Sequence, residues 1–224
     1  ENPFLGNRAL RLCFDRPDIF RTQLRAAFRA SVYGNLWLMF PMVASIDDIF
    51  RAKQAVFEVK KELTDENIAF SPDVKLGIMI EIPSIALLAD FAAKEVDFAS
   101  IGTNDLCQYT MAVDRLNPAV NEYYQSYNPA LFRLIHLAAK SFLENGKPVC
   151  VCGELGGDRL GAAVLMGLGV RKLSMNISSV AQIRKLVNEL PMKKAEQIAA
   201  NVLALSSAKE AEQYLNSALK EILS

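Results

Sequence analysis

The run Val96-Asp97-Phe98-Ala99-Ser100-Ile101-Gly102-Thr103-Asn104-Asp105-Leu106-Cys107-Gln108-Tyr109-Thr110-Met111-Ala112-Val113-Asp114-Arg115 decides the fold. Its first six residues are mainly apolar and suit a short buried strand. Gly102 breaks the run, and Thr103, Asn104 and Asp105 then set three oxygen-bearing side chains on the turn expected to follow. Polar groups at the C-terminal end of a strand are where α/β folds keep their ligands. Asp105 is suited to a hard cation, Asn104 can donate and accept, and Arg115 can grip an anion with its planar fork. The residues alone leave two readings open: a ligand site at a strand exit, or an Asx-turn with Arg115 solvated.

On either side of this run, strand-like and helix-like segments alternate, which is the pattern of parallel βα units. Pro17 and Asp18 open a helix whose ridge carries Phe20, Leu24, Phe28 and Val32, with Arg21, Arg25 and Arg29 on a ridge expected to be solvated, and Gly34 ends it. Leu36 to Val43 reads as a strand, and Ser45 with Asp48 forms an acidic capping box for the next helix. A polar loop, Thr64 to Asp73, leads to a strand at Lys75 to Ile82. On it Gly77, Met79 and Glu81 share one face and Ile78, Ile80 and Ile82 the other. Glu81 therefore leaves its strand on the side opposite the isoleucines, where a carboxylate needs a partner. Pro83 and Ser84 start another helix.

Beyond the central run, Leu116 to Pro129 is a long loop with Tyr123, Tyr124 and Tyr127, of a length that is often functional. Pro148 to Cys152 is a strand, Gly153 to Asp158 a glycine-rich turn into a helix, and Arg171 to Met175 a last short strand. Pro191 to Ser224 is helical, with a capping box at Ser207 and Glu210.

The 224 residues suffice for one sizeable core, 51% are hydrophobic, and 25 basic residues balance 25 acidic ones. Balanced charge gives no reason to expect a nucleic-acid partner, and no apolar run reaches the ~20 residues of a membrane helix. Cys13, Cys107, Cys150 and Cys152 fit neither a zinc site nor a disulfide framework, which suggests a reducing, cytoplasmic setting. His136 lies in a helical pattern with no acid or nucleophile at helical spacing, so packing is its expected role. The first residue is not methionine and falls inside a motif, so a piece of a longer protein is expected.

Four blocks in order carry a family resemblance. They are Glu1-Asn2-Pro3-Phe4-Leu5-Gly6-Asn7-Arg8-Ala9-Leu10-Arg11, Gly77-Ile78-Met79-Ile80-Glu81-Ile82-Pro83, the central run, and Cys152-Gly153-Glu154-Leu155-Gly156-Gly157-Asp158. Together they resemble the phosphoenolpyruvate-utilising enzymes, and the form Gln108 to Arg115 is nearest to the enzyme I branch, the phosphotransferases of bacterial sugar uptake. Phosphoenolpyruvate synthase and pyruvate phosphate dikinase share the Gly-Thr-Asn-Asp core and are the alternatives within the family. A module that senses phosphoenolpyruvate without catalysis, and a magnesium-dependent lyase acting on a pyruvate enolate, are the alternatives of other classes.

The resemblance implies a (β/α)8 barrel of the phosphoenolpyruvate/pyruvate type, of which residues 1–224 hold about the last five βα units. It also implies the site. Glu81 and Asp105 match magnesium carboxylates, Asn104, Asp105, Arg115 and Arg8 match substrate-binding residues, and Cys152 matches the proton donor to the enolate. Without the resemblance Cys152 reads as a small buried thiol, like Cys150 and Cys13. Asn7, Cys107 and Gly156 depart from the family pattern at positions that carry none of this chemistry. The phosphoryl acceptor is expected on a separate N-terminal phosphohistidine domain, from which the group passes to a phosphocarrier protein, and the barrel is expected to be a homodimer. The first barrel strands would precede Glu1, which leaves the apolar Leu36 to Val43 as an edge in need of cover.

Overall fold

A computed structural model describes residues 3–223, so Glu1 and Asn2, which open the first motif, and Ser224 lie outside the described residues. A 3₁₀ turn at Pro3–Leu5 leads into α1 (Leu10–Asp15) and α2 (Pro17–Ala30). Then come β1 (Trp37–Phe40), α3 (Ile46–Asp65), β2 (Lys75–Ile80), α4 (Pro83–Leu87), α5 (Ala89–Glu95), β3 (Phe98–Gly102) and α6 (Thr103–Met111). The rest of the chain is α7 (Pro129–Glu144), β4 (Val149–Cys152), α8 (Glu154–Gly157), α9 (Arg159–Gly167), β5 (Lys172–Leu173), α10 (Ile177–Glu189), α11 (Met192–Ala204) and α12 (Ala208–Leu223).

The five strands form one sheet in the order of the sequence, and every neighbouring pair is parallel. Helices joining successive parallel strands give the barrel type of α/β architecture, present as five consecutive units. The register Ile78 to Ala99, Ile80 to Ile101, Ala99 to Val149 and Ile101 to Val151 puts these side chains in rows on the helix-covered face. All of them are buried, as parallel strands sandwiched by helices require. The other face carries Met39, Gly77, Met79, Phe98, Ser100, Gly102, Cys150 and Cys152 in matching rows.

This second face is concave. The Trp37 ring on β1 lies 4.9 Å from that of Phe98 on β3, and Lys172 Nζ of β5 lies 5.4 Å from the Trp37 ring. Side chains of the first and last strands therefore meet across the sheet. Gly77 makes room for this, because a Cβ there would stand 2.5 Å from the Phe98 ring.

Local signals explain most boundaries. Ser45 and Asp48 exchange both capping hydrogen bonds at the start of α3, an arrangement worth about 0.5–2 kcal/mol at such a cap. Asn128 caps α7 and Pro129 starts it. Ser207 and Glu210 do the same for α12. Phe20, Leu24 and Phe28 are buried as the ridge predicts, but Val32 is 48% exposed because the helix tightens into a 3₁₀ turn at Ser31–Tyr33. Arg21 and Arg25 pair with Glu62 of α3 and Arg25 also with Glu66 just past its end, so this ridge is a partly solvated ionic seam between two helices.

Several boundaries differ from expectation. Leu10–Asp15 is helical although no cap announces it. The strand expected at Leu36 to Val43 shortens to Trp37–Phe40, since Pro41 donates no hydrogen bond and Met42 takes φ 56°. The expected loop from Thr64 loses its first residues to α3. The strand at Arg171 to Met175 contracts to Lys172–Leu173, and the loop from Leu116 contains a 3₁₀ segment, Pro118–Tyr123. No helix among the described residues is long and apolar enough to cross a membrane.

Candidate functional site

The polar residues singled out in the sequence meet at the C-terminal end of the sheet. Thr103, Asn104 and Asp105 are not on a turn: they form the first turn of α6, which begins directly after Gly102. Starting a helix without a linker aims the first-turn side chains back over the strand ends, with the positive end of the helix dipole beside them. Asp105 is 7% exposed there.

Glu81, one residue past β2, is also 7% exposed. Its Oε1 accepts the Met42 N–H at 2.6 Å, a bond that the left-handed backbone of Met42 makes possible. Burial pushes the Glu81 carboxyl above the ordinary carboxylate range, the Met42 N–H opposes this, and the nearby charge of Asp105 adds to the rise. Two carboxylates thus share a small buried volume.

Two arginines complete the cluster from distant parts of the chain. Arg8 Nη2 lies 3.6 Å from Asp105 Oδ2 and Arg115 Nη2 lies 3.3 Å from Asp105 Oδ1. These approaches are ionic rather than hydrogen-bonded: Arg8 Nη1, Arg115 Nε and Asp105 Oδ1 are buried with no hydrogen-bond partner. Buried groups of this kind normally have partners. Arg115 is brought back over α6 by the left-handed Ala112 and by Gln108 Oε1, which accepts the Arg115 N–H at 3.0 Å. Ten positions of sequence are thereby folded so that Arg115 and Asp105 touch.

Cys152 ends β4 opposite Gly102. Its Sγ is 3.4 Å from the Ser100 hydroxyl, which donates to it, 3.4 Å from Met79 Sδ and 3.6 Å from the Ile101 carbonyl. Burial raises the thiol pKa, while the Ser100 hydroxyl favours the thiolate. The Thr103 hydroxyl donates to the Cys152 carbonyl at 3.2 Å, and Asn104 Oδ1 accepts the Glu154 N–H at 3.0 Å. Asn104 Oδ1 is thus engaged by backbone, and its amide N–H₂ is the group left to face a ligand. Between these contacts stands Gly153 at φ 113°, where a Cβ would lie 2.4 Å from Thr103 Oγ1. Asn104 and Gly153 also line a polar cleft of about 640 Å³ that continues toward Ser174, Asn176 and Gln182.

The Cys150 thiol donates to the Ala99 carbonyl at 3.6 Å, and Cys13 lies with the helices near β1, positions that suit packing thiols. Cys107 is buried and burial pushes its thiol up to about 11. Among the described residues no three His, Cys, Asp or Glu side chains cluster as a metal site. Glu81 and Asp105 are a pair of buried hard-oxygen donors at the strand ends. Their mutual repulsion, together with an Asp105 Oδ1 that accepts no hydrogen bond, suits a divalent cation that keeps other oxygens in its shell. Ser100, Met42, Gln108 and Phe4 were not singled out in the sequence. Of these only Ser100 carried a signal, since it alternates with Gly102 on the face that carries Cys152.

Residues 1–192 match the model of the family described as PEP-utilising enzyme, PEP-binding domain. Over 216 residues the chain is 47% identical to the phosphoenolpyruvate-protein phosphotransferase of Priestia megaterium, a match covering 96% of this chain and 38% of that protein. It is 47% identical over 219 residues to the enzyme of the same name from Bacillus subtilis, covering 98% of this chain and 38% of that protein. The chain thus spans well under half the length of these relatives. A crystal structure of a citrate lyase from Burkholderia xenovorans superposes with a TM-score of 0.55 at 15% identity, covering 90% of this chain and 67% of that one. That likeness concerns the fold alone. By the match over most of its length, the chain belongs to the phosphoenolpyruvate-utilising enzymes and carries their PEP-binding domain.

Proposed function

We propose that residues 1–224 are the phosphoenolpyruvate-binding part of a phosphoenolpyruvate-protein phosphotransferase, with the first barrel strands and a phosphohistidine domain supplied by other parts of the protein. The observation that carries the reading is the meeting of Arg8 and Arg115 on the buried Asp105, with three of their buried polar atoms lacking a hydrogen-bond partner, beside a second buried carboxylate. Phosphoenolpyruvate has a phosphate and a carboxylate, and two guanidinium groups match such anions well. Glu81 and Asp105 would hold Mg²⁺, which supplies charge neutralisation for the phosphate and enolate oxygens. Asn104 donates its amide N–H to a substrate oxygen.

In the forward reaction the phosphoryl group leaves the enol oxygen for a histidine nitrogen, and the P–O bonding pair stays on the oxygen. The enolate closes to a carbonyl as its methylene carbon takes the Cys152 proton, which gives pyruvate. A thiol whose pKa is raised by burial is protonated at neutral pH and is therefore an acid ready for this step. The phosphohistidine then serves a phosphocarrier protein for sugar uptake. The names of the relatives favour this over the synthase and dikinase readings. A homodimer and a cytoplasmic location belong to the same proposal, the latter supported by four free cysteines.

Calorimetry with the full-length protein tests the reading. Phosphoenolpyruvate is expected to bind with magnesium and at least about tenfold more weakly without it or in Asp105→Ala. Equal affinity in all three conditions would refute it. Isotope exchange between pyruvate and phosphoenolpyruvate separates catalysis from mere sensing.

A further inference from the structure

Tyr109 stands one helical turn after Asp105 on α6, and so on the same face of that helix. Its hydroxyl donates to the Phe4 carbonyl at 2.5 Å and meets Met42 Sδ at 3.8 Å. The Phe4 ring, in turn, lies beneath both guanidinium groups of the site. Its centroid is 5.2 Å from Arg8 Cζ and 5.8 Å from Arg115 Cζ, within the range of cation–π attraction. Gly6, Asn7 and Arg11 make hydrogen bonds close by in sequence, to or from Pro3, Asp15, Leu5 and the Gly6 carbonyl. The Tyr109 bond spans 105 positions and fastens the segment to α6.

We propose that Tyr109 is a positioning residue: by anchoring the Phe4 carbonyl it seats the Phe4 ring as a platform for Arg8 and so fixes Arg8 over Asp105. This rests on the reading of the site as a phosphoenolpyruvate pocket. Arg8 needs such a device because it comes from an irregular segment, whereas Asp105 and Glu81 are held by a helix and a strand end. Its side chain is partly exposed, 34%, and its 3.6 Å approach to Asp105 lacks hydrogen-bond geometry. A long side chain in that position loses rotamer freedom when it binds, and an aromatic platform removes part of that freedom beforehand. Tyr109 also lines a cavity of about 180 Å³ with Phe4, Leu5 and Gln108, so simple packing is the competing role.

Tyr109→Phe separates the two, since it keeps the ring and removes only the hydroxyl. In the full-length protein, KM for phosphoenolpyruvate is expected to rise about tenfold with kcat within about twofold, the size expected for loss of one binding-side hydrogen bond. In an Arg8→Ala background the same substitution should leave affinity unchanged, because the group it positions is gone. Amide exchange at residues 4–9 should quicken about tenfold, with β3 and α7 unaffected. Equal losses in the parent and Arg8→Ala backgrounds would overturn the proposal, as would unchanged exchange at residues 4–9. A parent that fails to bind phosphoenolpyruvate would refute the substrate reading instead, and the exchange experiment would still decide whether Tyr109 holds the segment.

Discussion

Glu81 and Asp105 stand side by side in the structure although they come from different units, one just past the end of β2 and the other in the first turn of α6. Burial and the neighbouring charge hold the Glu81 carboxyl above its ordinary range, so the folded chain keeps a proton there that the unfolded chain releases. Between the ordinary and the raised value, stability falls as pH rises, because the native state binds more protons. Glu81→Gln removes this loss while its amide oxygen can still accept the Met42 N–H. Without metal, its Tm at pH 8 should exceed the parent's. The difference should vanish at acid pH. Thermal scans at pH 4 and pH 8 decide it, and a variant no more stable than the parent at pH 8 would show that Glu81 is well accommodated as a carboxylate.

Cys152→Ala in the full-length protein should leave phosphoenolpyruvate binding nearly intact and cut turnover by about 10²–10⁴-fold, the usual cost of losing a general acid. Cys150→Ala should change turnover little, because that thiol donates to a backbone carbonyl. Alkylation of Cys152 should be slow at neutral pH and should accelerate into the range above an ordinary thiol pKa, since burial raises its own. Mass spectrometry after iodoacetamide treatment across pH measures this. Fast labelling at neutral pH would contradict the burial argument.

Arg115→Lys keeps the charge but loses the fork. The buried Nε of Arg115 has no counterpart in lysine, so phosphoenolpyruvate should bind about tenfold or more weakly with little change in folding stability. Calorimetry and a melting curve on the same sample give both quantities. Unchanged affinity would mean that the Asp105 contact, 3.3 Å in length, is all that Arg115 provides.

Gly153→Ala should be more damaging than its size suggests. The residue sits at φ 113°, and the new methyl would meet Thr103 Oγ1 at 2.4 Å and Asn104 Oδ1 at 3.0 Å. A cost of about 1–3 kcal/mol is expected from the backbone alone. Because the clash pushes on Asn104 and on the Thr103 bond to the Cys152 carbonyl, activity should fall even in molecules that remain folded. Urea unfolding followed beside turnover tests both, and a fully active, fully stable variant would refute the account.

The sequence made the fold legible because its strands are short, apolar and separated by helical periods, and because Ser45 and Ser207 sit at helix starts. The orientation of Glu81 also followed from period-2 alternation with Ile78 and Ile80. What it concealed was geometry set by long-range contact. Nothing local shows that Thr103 continues into a helix instead of a turn, since Asx-turns and N-terminal helical turns use the same residues. The left-handed φ of Met42, which lends its N–H to Glu81, is visible only once β1 and β2 are paired. Arg115 lay open between a ligand role and a solvated loop until Gln108 and Ala112 were seen to fold it back.

The curl of the sheet has an optical consequence. Trp37 is the single tryptophan of the chain, and it lies on one edge strand while Lys172, its cationic neighbour, lies on the other. Indole emission therefore reports the distance between the two edges without any added label. Opening the arc would withdraw the ammonium and wet the ring, whereas a further strand laid against β1 would shield an indole residue that is now 40% exposed and shift its emission to the blue. The molecule carries its own gauge of whether the arc is sprung open, left as it stands, or completed into a ring.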